Sequence, residues 1–318
     1  MKTVLITGSA GFVGSHIVEE AINSGYSVIG LDNLSSGINY INNNPNYKFI
    51  NLDVNSNLKD ILVNVDCIVH AAAYAELRHN WDDISERKKL FENNEKATIN
   101  ILEQMPNVPF VFLSSGSVYG SLSFEKIKDR ALVESDATPD LVQSPYAASK
   151  LACEGYVAAW SHKRNNKWYC LRLVNQIGDR AHRGVIVDFL KMIKEKNHIH
   201  AADDGSQKKS WVSVKDTSKS IIRLLDSDNP VPSGIYNVSS DERWSWKDMV
   251  NVMREMYLDK YPSNENMFSL SNEDSVGGSI GDPLNLNISN TKLSSYYKNK
   301  FSVKSAVIDS LSYLGWCK

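Results

Sequence analysis

The chain has 318 residues, of which 42% are hydrophobic and 23% charged, and a formal net charge of −2. That length fits one large domain or two intergrown ones, the near-neutral charge excludes the electrostatic footprint of a nucleic-acid or membrane-surface binder, and no apolar run approaches the ~18 residues of a spanning helix. Cys67, Cys153, Cys170 and Cys317 form no CxxC pair and no zinc-spaced cluster with histidine, which predicts free thiols, no metal centre and a cytoplasmic protein.

TVLIT (3–7) is short and rich in β-branched residues, so it predicts a strand rather than a signal peptide. GSAGFVGSHIVEEAINSG follows, with Gly8, Gly11 and Gly14 spaced GxxGxxG. Beyond Gly14, Ile17, Val18, Ala21 and Ile22 recur at helical steps, and Gly25 stops them. YSVIGLDN then predicts a second strand with Asp32 at its end. Strand, glycine turn, helix, strand and acid in this order describe a dinucleotide site. The glycines let the backbone approach a pyrophosphate, the helix start offers N–H groups and positive dipole to it, and the carboxylate accepts from an adenosine ribose diol. Asp32 selects NAD over NADP, because its charge repels a 2′-phosphate and no Arg follows in DNLSSG.

More strands follow: YKFINLDV (47–54) with Asp53 near its end, CIVHAAA (67–73) ending in small residues beside which a flat cofactor fits, and PFVFLSS (109–115). SPYAASK (144–150) starts a helix, with Ser144 as N-cap and Pro145 in the first helical position, and places Tyr146 and Lys150 one turn apart on one face. Sequential parallel strands with helical crossovers predict an α/β Rossmann fold with a doubly wound parallel sheet. Ligands gather at the carboxyl ends of such strands, where Asp32, Asp53, the 71–75 segment and Ser114–Ser115 fall. The stretches 39–48 and 263–275 are polar and loop-like.

TGSAGFVGSH, LDNLSSG, HAAAYA, SSGSVYG and SPYAASK in this order resemble the extended short-chain dehydrogenase/reductase family, and within it the nucleotide-sugar epimerases of the UDP-glucose 4-epimerase type. LRLVNQIG (171–178), DDGSQKKSWVSVKD (203–216), GIYNVSS (234–240) and GDPLNLNIS (281–289) extend the likeness over nearly the whole chain. The resemblance implies a Rossmann domain over 1–175, with 211–238 returning to it, and a smaller, interleaved α/β substrate-binding domain from 176–210 and 239–318. It implies tightly bound NAD, a nucleotide-sugar substrate (a UDP-hexose), and a homodimer paired through helices near 94–105 and 146–162. It makes Ser115, Tyr146 and Lys150 catalytic. It carries cofactor contacts to Gly8, Gly11, Phe12, Val13, Gly14, Asp32, Asn33, Ser35, Ser36, Gly37, Asp53, Val54, Ala71, Ala72, Ala73, Tyr74, Asn94, Ser114, Tyr146, Lys150 and Val174. Substrate contacts fall on Ala75, Ser115, Ser117, Asn175, Lys209 and Leu286.

Within this family, sugar 4,6-dehydratases resemble one another in carrying Asp-Glu beside the catalytic Ser/Thr, because elimination needs an extra acid and base; UDP-glucuronate decarboxylases tend to carry a Glu there. Here Ser115-Gly116-Ser117-Val118-Tyr119 holds no carboxylate, which favours oxidation and reduction at one carbon. The expected activity is epimerisation at C4 through a transient 4-keto sugar. Tyr146 is the base, Lys150 favours its anion and holds the nicotinamide ribose, and Ser115 bonds the reacting oxygen. Tyr74 and Tyr119 read as pocket walls, His70 as the support of a loop, and His79, His162, His182, His198 and His200 as surface residues. The family's first phosphate-binding arginine falls at Lys209, which keeps the charge and loses the bidentate fork. The second falls near Ser279; Lys208, Arg180 and Arg183 are the cations left to compensate. The alternatives are another NAD-dependent nucleotide-sugar enzyme of this fold, whether epimerase, reductase or dehydratase, and a non-catalytic NAD-binding regulator.

Overall fold

Seven parallel strands form the main sheet of the protein, in a computed structural model that describes all residues except 37, 41–42, 76–82, 124–129, 197, 201–204, 261–267, 269, 272–284 and 317–318. The chain opens with β1 (Thr3–Thr7), α1 (Phe12–Asn23), β2 (Ser27–Asp32), β3 (Tyr47–Asn51), α2 (Lys59–Leu62) and β4 (Cys67–His70). Next come α3 (Ile84–Leu90), a π-helical turn at Phe91–Lys96 that runs into α4 (Ala97–Gln104), β5 (Phe110–Ser115), α5 (Pro145–Arg164) and β6 (Trp168–Leu173). The remainder is β7 (Asn175–Ile177), α6 (Val185–Lys196), β8 (Ile199–His200), β9 (Lys208–Ser213), α7 (Val214–Leu224), β10 (Gly234–Val238), β11 (Arg243–Ser245), α8 (Trp246–Lys260), β12 (Leu270–Ser271), α9 (Thr291–Ser294) and α10 (Val303–Tyr313).

The main sheet runs β10-β6-β5-β4-β1-β2-β3. Its order reverses between β1 and β4, and that switch point opens a crevice at the carboxyl ends. Strand alternation divides the core. Val4 and Ile6 face Ile17 and Val18 of α1 and Ile221 and Ile222 of α7. Leu5 faces the opposite way, towards Ile101 and Leu102 of α4 and Cys153 and Val157 of α5.

A second sheet of three strands, β11-β9-β7, packs against α6, α8 and α10 through Phe189, Ile193, Met249, Met253 and Val307. Leu286 bridges to Lys209 on β9. β9 runs through the boundary expected at 211: Trp211, Val212 and Ser213 pair with β7, so these residues stay in the small sheet. The chain returns to the main sheet with α7 and then β10, which pairs with β6.

Candidate active site

The turn between β1 and α1 is built so that only glycine fits. Gly8 takes φ 66°, and a Cβ on it would sit 2.6 Å from the Ala72 nitrogen. A Cβ on Gly14 would lie 1.9 Å from the Gly8 carbonyl oxygen. Gly11 is the N-cap of α1 and donates its N–H to that same oxygen at 3.0 Å. Neither a capping side chain nor an acidic residue occupies the first turn of α1, so the N–H groups of Phe12, Val13 and Gly14 and the helix dipole stay available to an anion.

Asp32 ends β2, and its carboxylate accepts from Ala10 N–H at 3.0 Å and Leu34 N–H at 2.8 Å. These bonds tie the acid to the glycine turn while leaving each oxygen a further lone pair for a ribose diol. Asp53, next along the crevice, accepts from Asn33 Nδ2 at 2.8 Å and from Asn55 N–H at 2.8 Å, and these hydrogen bonds hold its carboxyl below the usual range against the opposing effect of burial. Ser35 donates its N–H to Asn33 Oδ1, Ser36 is exposed on the same loop, and Gly37 lies outside the described residues. On these observations the cradle suits a dinucleotide pyrophosphate with an unphosphorylated ribose.

The reacting groups come from β5 and α5. Ser144 caps α5 by accepting from Ala147 N–H at 3.1 Å, Pro145 fills the first helical position, and the turn carries Tyr146 and Lys150 inward. Both are buried, at 7% and 3% exposure. Ser115 Oγ accepts from Ser117 N–H at 3.2 Å and Ser117 Oγ at 3.0 Å, which leaves its own proton for the Tyr146 oxygen. Lys150 Nζ donates to Leu113 O at 2.8 Å and lies 5.9 Å from the Tyr146 ring centre.

Burial pushes the Tyr146 phenol up, and the Ser115 hydrogen bond and the Arg183 charge oppose it. Burial brings Lys150 down to about 8. One N–H of the ammonium goes to a backbone carbonyl, and the charge of Arg183, an exposed residue in the loop between β7 and α6, also favours the phenolate.

Asn94 sits in the π-helical turn, a feature frequent at functional sites. Its Oδ1 accepts from Tyr74 N–H at 2.8 Å, and its Nδ2 donates to Tyr74 O at 3.2 Å and Ser149 Oγ at 2.9 Å. It thus fixes the segment after β4, which holds Ala71, Ala72, Ala73, Tyr74 and Ala75, against α5. Tyr74 directs its hydroxyl away, to Glu86 at 2.7 Å. Tyr119 donates to Asn237 Oδ1 at 2.6 Å, is fully buried and is pushed up to about 12, so it is a wall.

Beneath the site, Glu154 accepts from Ser114 Oγ at 2.6 Å and from Arg172 at 2.9 and 2.7 Å. This buried ion pair joins α5 to β6 directly under Ser115. Val174 follows β6 and packs with Leu286, Val118 and Tyr119. Asn175 donates to Ser210 O at 3.2 Å, and Lys209 is buried within 5.9 Å of the Trp246 ring centre. Val54 is buried behind Asp53. Sequence reasoning missed Ser149 and Glu154, which bear on the site only through partners distant in the chain. The Ser279 position of the second expected arginine is outside the described residues. No group of three or more metal-ligating side chains occurs among the described residues.

The model of the NAD dependent epimerase/dehydratase family matches residues 4–239. The chain belongs to that family. It is 31% identical over 265 residues to a putative UDP-glucose 4-epimerase of Methanocaldococcus jannaschii, covering 79% of this chain and 81% of the relative. It is 27% identical over 263 residues to UDP-glucuronic acid decarboxylase 4 of Arabidopsis thaliana, covering 79% of this chain and 56% of the longer relative. The fold matches the crystal structure of UDP-glucuronic acid 4-epimerase from Bacillus cereus, in complex with UDP-glucuronic acid and NAD, with TM-score 0.83 over 98% of this chain and 99% of that one at 22% identity. The family's cofactor is NAD, and the glycine turn, the uncapped α1 start and Asp32 are the groups here whose geometry fits it. Among the described residues no helix is long and apolar enough to cross a membrane.

Proposed function

We propose that the protein is a 4-epimerase of a nucleotide-linked hexose, of the UDP-glucose/UDP-galactose kind, that keeps its NAD bound through turnover. One observation carries this reading: Ser115, Tyr146 and Lys150 converge at the ends of β5 and α5 with no carboxylate in 115–119. Glu154 is engaged by Arg172 and Ser114, and Glu134 accepts from Asn237 N–H at 2.8 Å. Dehydration and decarboxylation relatives need an added acid or base, and residues 115–119 hold no carboxylate to supply it.

In this mechanism Tyr146 takes the proton of the C4 hydroxyl as C4 loses hydride. Bound NAD supplies the hydride acceptor and later the donor, and its positive ring favours the phenolate that burial opposes. Ser115 donates to the reacting oxygen and holds its position. The keto sugar turns within the site, and Tyr146 returns the proton after hydride reaches the other face. Ala75 and Ser117, after β4 and β5 of the main sheet, face the sugar, and Asn175, Lys209 and Leu286 line the sugar and diphosphate side from the small-sheet lobe that we assign to substrate binding. Arg183 favours a second reading, in which the hexose carries a carboxylate at C6: among the described residues its guanidinium makes no hydrogen bond or ion pair, and its field reaches Tyr146. The half-buried Tyr156 and Trp160 on α5 and the exposed Phe91 support a dimer paired through this face.

The test uses UDP-hexoses deuterated at C4, with and without a C6 carboxylate. The epimerase reading expects inverted product that keeps its deuterium, because the same hydride returns. Inversion with washout into solvent, or loss of water or carbon dioxide, would refute it.

A further inference from the structure

His70 ends β4, fully buried beside the rings of Phe110 and Phe112 at 6.2 and 5.8 Å. Both of its ring nitrogens are engaged: Nδ1 lies 2.7 Å from Thr7 Oγ1 and Nε2 lies 3.1 Å from Thr98 Oγ1. The neighbouring bonds fix the direction of each. Thr98 donates its single hydroxyl proton to Asn94 O at 2.6 Å, so its oxygen accepts from His70 Nε2–H. Thr7 Oγ1 accepts Ala72 N–H at 3.2 Å and has its own proton left for Nδ1. Burial, with the Lys150 charge nearby, brings the imidazole down to about 3, in agreement with a neutral ring.

The bonds form one continuous path. It runs from Ala72 N–H through Thr7 to His70, and from His70 through Thr98 to the backbone of Asn94. Asn94 then clamps both backbone groups of Tyr74 and reaches Ser149, whose hydroxyl donates to Tyr146 O at 2.8 Å. Thr7 directly precedes the glycine turn, and the Ala72 nitrogen is the atom that a side chain on Gly8 would strike. The two ends of the 72–74 segment are therefore held from opposite sides by one imidazole.

We propose that His70 is a positioning residue for hydride transfer. As a permanently neutral, Nε2-protonated ring it locks the glycine turn, the 72–74 segment and the Asn94 turn into one register, and so sets where the nicotinamide end of NAD lies against Tyr146. The proposal needs only the family's cofactor, and its first readouts require no sugar, so its failure is separate from failure of the substrate assignment.

The test takes the NAD-loaded protein and compares wild type, His70→Phe, His70→Gln and Thr98→Val. Exchange of bound NAD into excess isotopically labelled NAD is expected to quicken at least tenfold in His70→Phe. In His70→Gln, which keeps a donor towards Thr98, it should quicken by less. Thr98→Val preserves shape and removes both bonds of the Thr98 hydroxyl, to His70 and to Asn94 O. It should quicken exchange in the same sense, and combined with His70→Phe should add less than its separate effect, because both break one path. If His70→Phe does not fold, Thr98→Val and His70→Gln carry the test. Spectra of protein with 15N-labelled histidine should show one ring protonated at Nε2 alone and unchanged from pH 8 to pH 5. Wild-type exchange rates in all folded variants, with losses confined to melting temperature, would reduce His70 to packing and overturn the proposal. So would a ring that titrates in that range or carries its proton on Nδ1.

Discussion

Replacing Gly14 by Ala tests the cofactor cradle, because two effects of known sign oppose each other there. Ala is favoured over Gly inside a helix by roughly 0.8–1.0 kcal/mol, so on propensity alone α1 should gain stability. Against that, the added Cβ would stand 1.9 Å from the Gly8 carbonyl oxygen and 2.7 Å from its carbon, both rigid backbone. Reaching ordinary contact requires the turn to open by about 1.5 Å, and forced repacking of that kind costs about 1–3 kcal/mol. The same movement breaks the Gly11 N–H bond to Gly8 O and withdraws the first-turn N–H groups from the pyrophosphate. Charged to the NAD-binding conformation, that cost weakens NAD by between about 5-fold and 150-fold, at 1.4 kcal/mol per tenfold. Gly155 is the matched control: it lies exposed in α5, and a Cβ there meets nothing within 4 Å. Gly155→Ala should stabilise by about 1 kcal/mol and leave NAD untouched. The assay is NAD content of the purified proteins, by mass spectrometry after acid release, alongside thermal melting. A Gly14→Ala protein that keeps full NAD and melts higher, as Gly155→Ala should, would refute the reasoning.

Glu154→Gln leaves Arg172 buried without its counter-charge, and urea unfolding should show a loss of about 3–5 kcal/mol; a change below 1 kcal/mol would mean the pair is not shielded as its burial implies. Arg183→Ala should lower kcat/KM on a C6-carboxylated UDP-sugar by more than tenfold with little change on UDP-glucose if the guanidinium reads that carboxylate, whereas equal losses on both would place it on the diphosphate. His70, at about 3 against an ordinary 6.5, takes up a proton in the unfolded chain below pH 6.5 that the folded protein refuses until about pH 3. Its contribution is therefore complete above 6.5 and falls with acid by up to about 1.4 kcal/mol per pH unit. Denaturant midpoints at pH 7.5, 6 and 5 should show a shallower decline for His70→Gln than for wild type, and identical slopes would contradict the buried neutral ring.

The cofactor half of the site was legible because its signals are local. The Gly8–Gly11–Gly14 turn, the helical period after it and Asp32 at the end of β2 all lie within one βαβ unit, and Ser144-Pro145 announces the start of α5. The rest depended on partners far apart in the chain. Asn94 is legible only through the resemblance, because its partners Tyr74 and Ser149 lie 20 and 55 positions away. The spacing of Tyr146 and Lys150 also gives no sign that the Leu113 carbonyl takes one of the ammonium's donors. In the small sheet, β7 and β11 have three residues each, too few for an alternating pattern to show. The expected boundary at 211 therefore fell inside β9.

The most direct measurement of the central claim follows a UDP-hexose by proton NMR in the presence of the NAD-loaded protein, while near-ultraviolet absorbance reports free NADH. The account predicts that UDP-glucose, UDP-galactose or the C6-carboxylated pair equilibrates between its two C4 epimers, with no net NADH and no added NAD, and that Tyr146→Phe stops this while retaining NAD. Stoichiometric NADH, a 4-keto-6-deoxy or decarboxylated product, or full turnover by Tyr146→Phe would contradict it.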